Sequence, residues 1–193
     1  MTYIEFLMLS KELFKHLKKL LMKKTLLALT FVFANAAFAQ ECKYKRNEVD
    51  EFTKNKILET KEGVFTISGM GLGFSTGFAL MKVNNDRFLK LNVTSPSIFT
   101  LQNGSEIMFK VEGADPIVLN FPESIVANGV YNTSIKSTLW SGSIAIPLSE
   151  ENYKRFLNEK ISKLRVHTAN GYVDDDVSEK RDKKFKELLK CIE

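Results

Sequence analysis

The sequence predicts an α+β domain: a curled or sandwich-like antiparallel sheet of roughly seven to nine strands with two late helices, the second C-terminal. Three observations carry this. Between residues 56 and 146, short apolar and β-branched runs alternate with turn-forming residues, and no helical period lasts three turns. After Pro147 the apolar residues move to helical spacing, interrupted by one further hairpin. A single cysteine stands at each end of the domain, Cys42 and Cys191.

In chain order, the first element is a leader. Lys23 and Lys24, the apolar run 25–33 and the small residues of Ala37-Phe38-Ala39 supply the charged, apolar and cleavage regions of a secretory signal, predicting cleavage before Gln40. The uncharged run 25–39 has 15 residues, short of the roughly 20 that a spanning helix needs. Residues 1–21 precede the signal's own start, Met22, and read as a start-site extension; the signal is then 22–39 and the exported domain 40–193. A periplasmic or extracellular location follows, with no membrane span in the mature chain. There the two cysteines read as a disulfide. A lipid-modified cysteine would directly follow the cleavage site, and Gln40 and Glu41 intervene.

The whole chain has a formal net charge of +5, but six lysines and two glutamates belong to residues 1–39. The remainder holds 22 basic and 21 acidic residues, so its charge is nearly balanced. Nucleic acid is therefore not an expected partner, because neutralising phosphates requires a clustered cationic excess.

Strands are expected at 64–68, through the glycine-rich stretch to Val83, and at 87–93, 106–111, 116–121, 124–127 and 141–146. Asn84-Asn85-Asp86, Gln102-Asn103-Gly104, the loop 112–115 and Asn128-Gly129 are the expected turns. Ser149 caps a helix through 150–158, since its hydroxyl accepts from the exposed amides and Glu150 and Glu151 suit the positive helix end. A strand at 160–168 turns at Asn170-Gly171 into Tyr172-Val173. Ser178 opens the last helix, where Phe185, Leu188, Leu189 and Ile192 form one apolar stripe.

The stretch "SGMGLGFSTGFALM" (68–81) holds four of the ten glycines and resembles a phosphate loop at first reading. Both phosphate-loop templates fail. From Gly71 the third small position of the dinucleotide pattern falls on Thr76, and the chain has no Gly-Lys-Ser/Thr triplet. With a period of two, Met70, Leu72, Phe74, Thr76, Phe78 and Leu80 make a large face, and Gly69, Gly71, Gly73, Ser75, Gly77 and Ala79 a nearly bare one. The bare face is expected to pack closely against another backbone or helix. Its alternative is the floor of a ligand groove, with Gly71 and Gly73 as binding candidates.

His167 is the one histidine beyond the leader, and it stands across a turn from Asp174, Asp175 and Asp176. Histidine with carboxylates is the raw material of a general base or a metal site, so His167, Asp174 and Asp176 are the catalytic candidates. The competing reading is an ordinary strand histidine and an acidic lead-in to the helix at Ser178. One histidine with a paired cysteine set cannot make the usual zinc site, and the acidic run lacks the alternating ligands of a calcium loop. No metal and no cofactor are expected. Trp140, the single tryptophan, is a core or strand-edge aromatic with a carbohydrate platform as its alternative.

The segments "CKYKRNEVDEFTKNKILETKE" (42–62) and "KLRVHTANGYVDDDV" (163–177), with a terminal helix ending in cysteine, resemble small secreted proteins of unknown function from Bacteroidota. The resemblance covers nearly the whole mature chain and implies a compartment and an architecture, but no catalytic residue. The functional expectation is a non-catalytic exported envelope or secreted module that binds an envelope protein or an apolar ligand. Its rivals are a hydrolase or metal-dependent enzyme using His167 with the acidic run, and a small lipid-carrying β-barrel.

Overall fold

Alternation of large and small residues from Thr76 to Leu80 dictates the central strand. In the computed structural model, which describes residues 42–67 and 73–193, this is β4 (Ser75–Val83), with Thr76, Phe78 and Leu80 buried. β5 (Asp86–Ser95) returns along it through a turn in which Asn84 takes a φ of 54°, a left-handed conformation that asparagine tolerates. β11 (Ser137–Leu148) pairs with the far side of β5, and β10 (Asn128–Asn132) forms the edge beyond it. On the near side, β2 (Lys56–Thr60) and β3 (Gly63–Ile67) share β4 end to end. Where they meet, the Leu80 amide donates to Thr60 Oγ1 at 3.0 Å, so the break in the ladder leaves no orphaned donor. β1 (Tyr44–Val49) adds the other edge, giving a seven-stranded antiparallel sheet curled into a half-barrel.

A second sheet of four strands has the order β13–β12–β7–β8, built from β7 (Glu106–Val111), β8 (Ile117–Asn120), β12 (Ile161–Thr168) and β13 (Gly171–Asp176). The short β6 (Thr100–Leu101) pairs with β9 (Ile125–Val126). The helices are α1 (Glu150–Asn158) and α2 (Glu179–Leu189), the latter running into a 3₁₀ turn, Lys190–Ile192. Ser149 Oγ accepts from the Asn152 amide at 3.1 Å, as the sequence predicts. Ser178 caps α2 through its carbonyl instead, which accepts from the Arg181 and Asp182 amides at 2.9 and 3.0 Å.

Both sheets and both helices meet on five fully buried phenylalanines. Phe185 of α2 lies 4.8 Å from Phe65, 5.0 Å from Phe78 and 5.3 Å from Phe156, centroid to centroid, while Phe109 of β7 meets Phe65 and Phe156 at 5.5 and 4.9 Å. Most of these pairs are edge-on, the arrangement that the aromatic quadrupole favours. Cys42 and Cys191 form the expected disulfide, with Cα atoms 5.6 Å apart, and the Tyr44 hydroxyl donates to the Cys191 carbonyl beside it at 2.8 Å. Cys42–Glu193 make one compact unit.

Candidate functional site

An irregularity in β12 shapes the outward face of the four-stranded sheet. Continued without a break from the pair Ile161↔Val111, the ladder would set Lys163 opposite the buried Phe109. One extra residue, Ser162, instead sets Lys163 opposite Lys110 and Leu164 opposite Phe109. Ile161, Leu164 and Val166 can then all be buried while Lys163 faces solvent. Three hydrogen bonds hold the bulge. The Ile161 amide donates to Asp182 Oδ1 of α2 at 3.2 Å, Ser162 Oγ donates to the Lys110 carbonyl at 3.2 Å, and the Val177 amide donates to the Ser162 carbonyl at 3.0 Å.

Over this face lies a groove of about 260 Å³, with Met108, Ala114 and Pro116 as its apolar lining and Lys110, Lys163 and Arg165 as its cations. Its wall is the β7–β8 loop, where Gly113 takes a φ of 77° that suits glycine. The loop is tied to α1. Arg155 donates to the Asp115 carbonyl at 2.6 Å while its guanidinium is clasped twice by Glu159 at 2.8 Å, and the Glu112 amide donates to the Lys160 carbonyl at 3.0 Å.

The cations are not equivalent. Arg165 donates twice to Asp174, at 2.6 Å to each carboxylate oxygen, and its guanidinium lies 4.0 Å over the Tyr172 ring. The paired guanidinium holds the Asp174 carboxyl below its usual range. Lys163 lies 3.5 Å from a largely exposed Asp176, and among the described residues no carboxylate comes within ion-pair distance of Lys110. Like charges directly opposite on neighbouring strands destabilise a sheet. Lys110→Gln is therefore expected to raise stability by about 0.2–1 kcal/mol. The gain should shrink as salt is added, which urea melts at two ionic strengths will check.

Asp174 has a lower pKa folded than unfolded, so its pairing stabilises the fold above the ordinary carboxylate range and loses that effect as pH falls through its folded value. Arg165→Gln should accordingly be less stable than the parent at neutral pH, with the difference starting to shrink near about pH 4 and its ion-pair part gone only below the depressed folded value of Asp174. Denaturation midpoints from neutral to acid pH measure this directly, and a difference independent of pH would contradict it.

Of the sequence-predicted catalytic set, His167, Asp174 and Asp176 share the outward face, and no hydrogen bond or ion pair among the described residues joins the histidine to either carboxylate. Strand alternation places Asp174 and Asp176 on the outward face opposite Arg165 and Lys163, whereas Asp175 pairs with the buried Leu164 on the other face. His167 stands opposite Tyr172 with ring centroids 6.0 Å apart, and it does not line the groove. His167 Nε2 and Asp175 Oδ2 are shielded and have no hydrogen-bond partner. Among the described residues, no group of three or more His, Cys, Asp or Glu is placed to hold a metal ion.

Of the glycine candidates, Gly71 lies outside the described residues, and Gly73 sits half-buried in a bend just ahead of β4. Further along, a Cβ on Gly77 would come 3.3 Å from the Gly63 carbonyl oxygen of β3, the strand paired with β4 in the same sheet, a close approach within the ladder. Trp140 is half-buried against the core. It pairs in β11 with Gly129 of β10, where a Cβ would meet the indole at 3.0 Å. Asn128-Gly129 thus opens a strand rather than making the expected turn, and the glycine makes room for the tryptophan. A second depression of about 490 Å³ on the main sheet offers the neutral polar groups of Asn92, Thr94, Ser141 and Ser143.

What sequence reading missed is the row of Lys110, Lys163 and Arg165, which requires knowing how β7 and β12 pair. Compared with known proteins, the chain matches no protein-family model, no curated protein and no solved structure.

Proposed function

We propose that the protein is a non-catalytic, exported binding module of the cell envelope or the secreted fraction, and that its ligand occupies the groove over β7 and β12. The observation that carries this reading is a groove whose wall is fixed to α1 by Arg155 and whose floor is shaped by a bulge anchored to α2. Such a site is formed before any ligand arrives, which lowers the ordering cost of binding. Export rests on the secretory pattern of residues 22–39, and the Cys42–Cys191 bond fits an oxidising compartment.

Two rival readings have less support. A hydrolase or metal enzyme needs His167 and the acidic run in one cleft, but Asp174 is bound by Arg165 and Asp175 faces the other way. A lipid-carrying barrel needs an open interior, and five phenylalanines fill the hollow of the curled sheet. Native mass spectrometry of the protein recovered from envelope and medium provides the test. The expected result is a chain beginning at Gln40 with a small molecule bound, which is lost in Lys110→Glu. A mature chain still beginning at Met22, or a bound molecule indifferent to the groove substitution, would count against the proposal.

A further inference from the structure

We infer that the ligand of this groove is a small amphipathic carboxylate, with its head between Lys110 and Lys163 and a short apolar body over Met108 and Pro116; the inference rests on the binding-module reading. The bulge at Ser162 sets two lysines directly opposite each other on a solvent face, an arrangement that a sheet disfavours when nothing compensates it. Compensation within the fold is incomplete. Asp176 reaches only Lys163, at 3.5 Å with an 87 % exposed side chain, and Lys110 has no carboxylate partner among the described residues. A bound anion would supply the missing charge to both ammonium groups at once.

The third cation does not compete for that anion, because both oxygens of Asp174 already hold Arg165. Uncompensated positive charge is thereby concentrated at the Lys110–Lys163 end, and Met108, Val111, Ala114 and Pro116 supply the apolar part of the lining beside the closed Arg165–Asp174 pair. Methionine adapts to irregular apolar shapes, which suits a floor that must meet an aliphatic body. The volume of about 260 Å³ lies below the roughly 300–1,000 Å³ of sites for drug-sized ligands, so the body must be short. Lysine ammonium groups act as mobile point charges and accept a carboxylate without demanding a forked geometry.

Calorimetric titration of the whole protein with octanoate, 1-octanol and acetate separates the contributions. Octanoate should bind, 1-octanol about tenfold more weakly or less, and acetate not measurably. In Lys110→Gln, expected above to fold at least as stably as the parent, octanoate affinity should fall about tenfold while that of 1-octanol stays put. Met108→Gln should weaken both. Equal affinity for octanoate and 1-octanol would overturn the carboxylate and leave a binding module for neutral apolar ligands. Equal affinity for octanoate and acetate would overturn the apolar body. If none of the three binds, the inference fails. The module reading then fails with it only if native mass spectrometry also finds no ligand sensitive to Lys110→Glu.

Discussion

Phe185→Ala is expected to cost about 3–5 kcal/mol of folding stability, the range for emptying a large, fully packed aromatic site. Phe185 is fully buried and touches Phe65 and Phe78 of the main sheet and Phe156 of α1, so no single element can collapse into the space. The loss is a large share of the roughly 5–15 kcal/mol that holds a domain together. Phe52→Ala is the control, since that ring is 95 % exposed. Guanidinium melts of the two variants should differ by nearly the whole effect. A loss under about 1 kcal/mol at Phe185 would mean that the aromatic cluster is not the common core of the two sheets.

Replacing both Cys42 and Cys191 with serine should lower stability by about 2–5 kcal/mol. The bond spans 149 residues, and releasing so long a closed loop restores much freedom to the unfolded chain. A local effect adds to the global one. β1 is an edge strand whose residues are exposed after Tyr44, and it has little apolar burial of its own. Its amide protons should therefore lose protection from hydrogen exchange in the serine variant before those of β5, which lies at the centre of the same sheet. An unchanged denaturation midpoint on reduction would contradict this account.

Local signals made much of the fold legible. α1 spans the predicted 150–158 because Ser149, two first-turn glutamates and an apolar face with Tyr153 and Phe156 all agree. β7 likewise falls on 106–111, where alternation is clean and turns flank both ends. β1 was not expected, since YKRNEV has no buried face to give it a period and takes its place from pairing with β2. β10 was hidden by Asn-Gly, a turn signal that the Trp140 ring overrides. β4 was expected to extend through the glycines, but it begins at Ser75 with Gly73 in a bend before it. The groove was least legible of all, because its lysines meet only through a bulge that Asp182, twenty-one positions after Ile161 and on another element, holds in place. His167, Asp174 and Asp176 share the outward face of β12 and β13, as period-two alternation requires, while Asp175 goes to the other; what spacing alone did not show is that Arg165 takes both oxygens of Asp174.

The bond between Cys42 and Cys191 makes the domain a covalent ring, and a ring must be cut twice before it comes apart. A protease reaching the exposed turn at Asn170-Gly171, or the turn at Asn84-Asn85, would open a loop without releasing a fragment. The severed ends would remain tethered at an effective concentration of the order of millimolar, and could dock again. In surroundings rich in proteases, one nick would then leave the fold assembled, and the damage would become decisive only when a reductant opened the sulfur bridge.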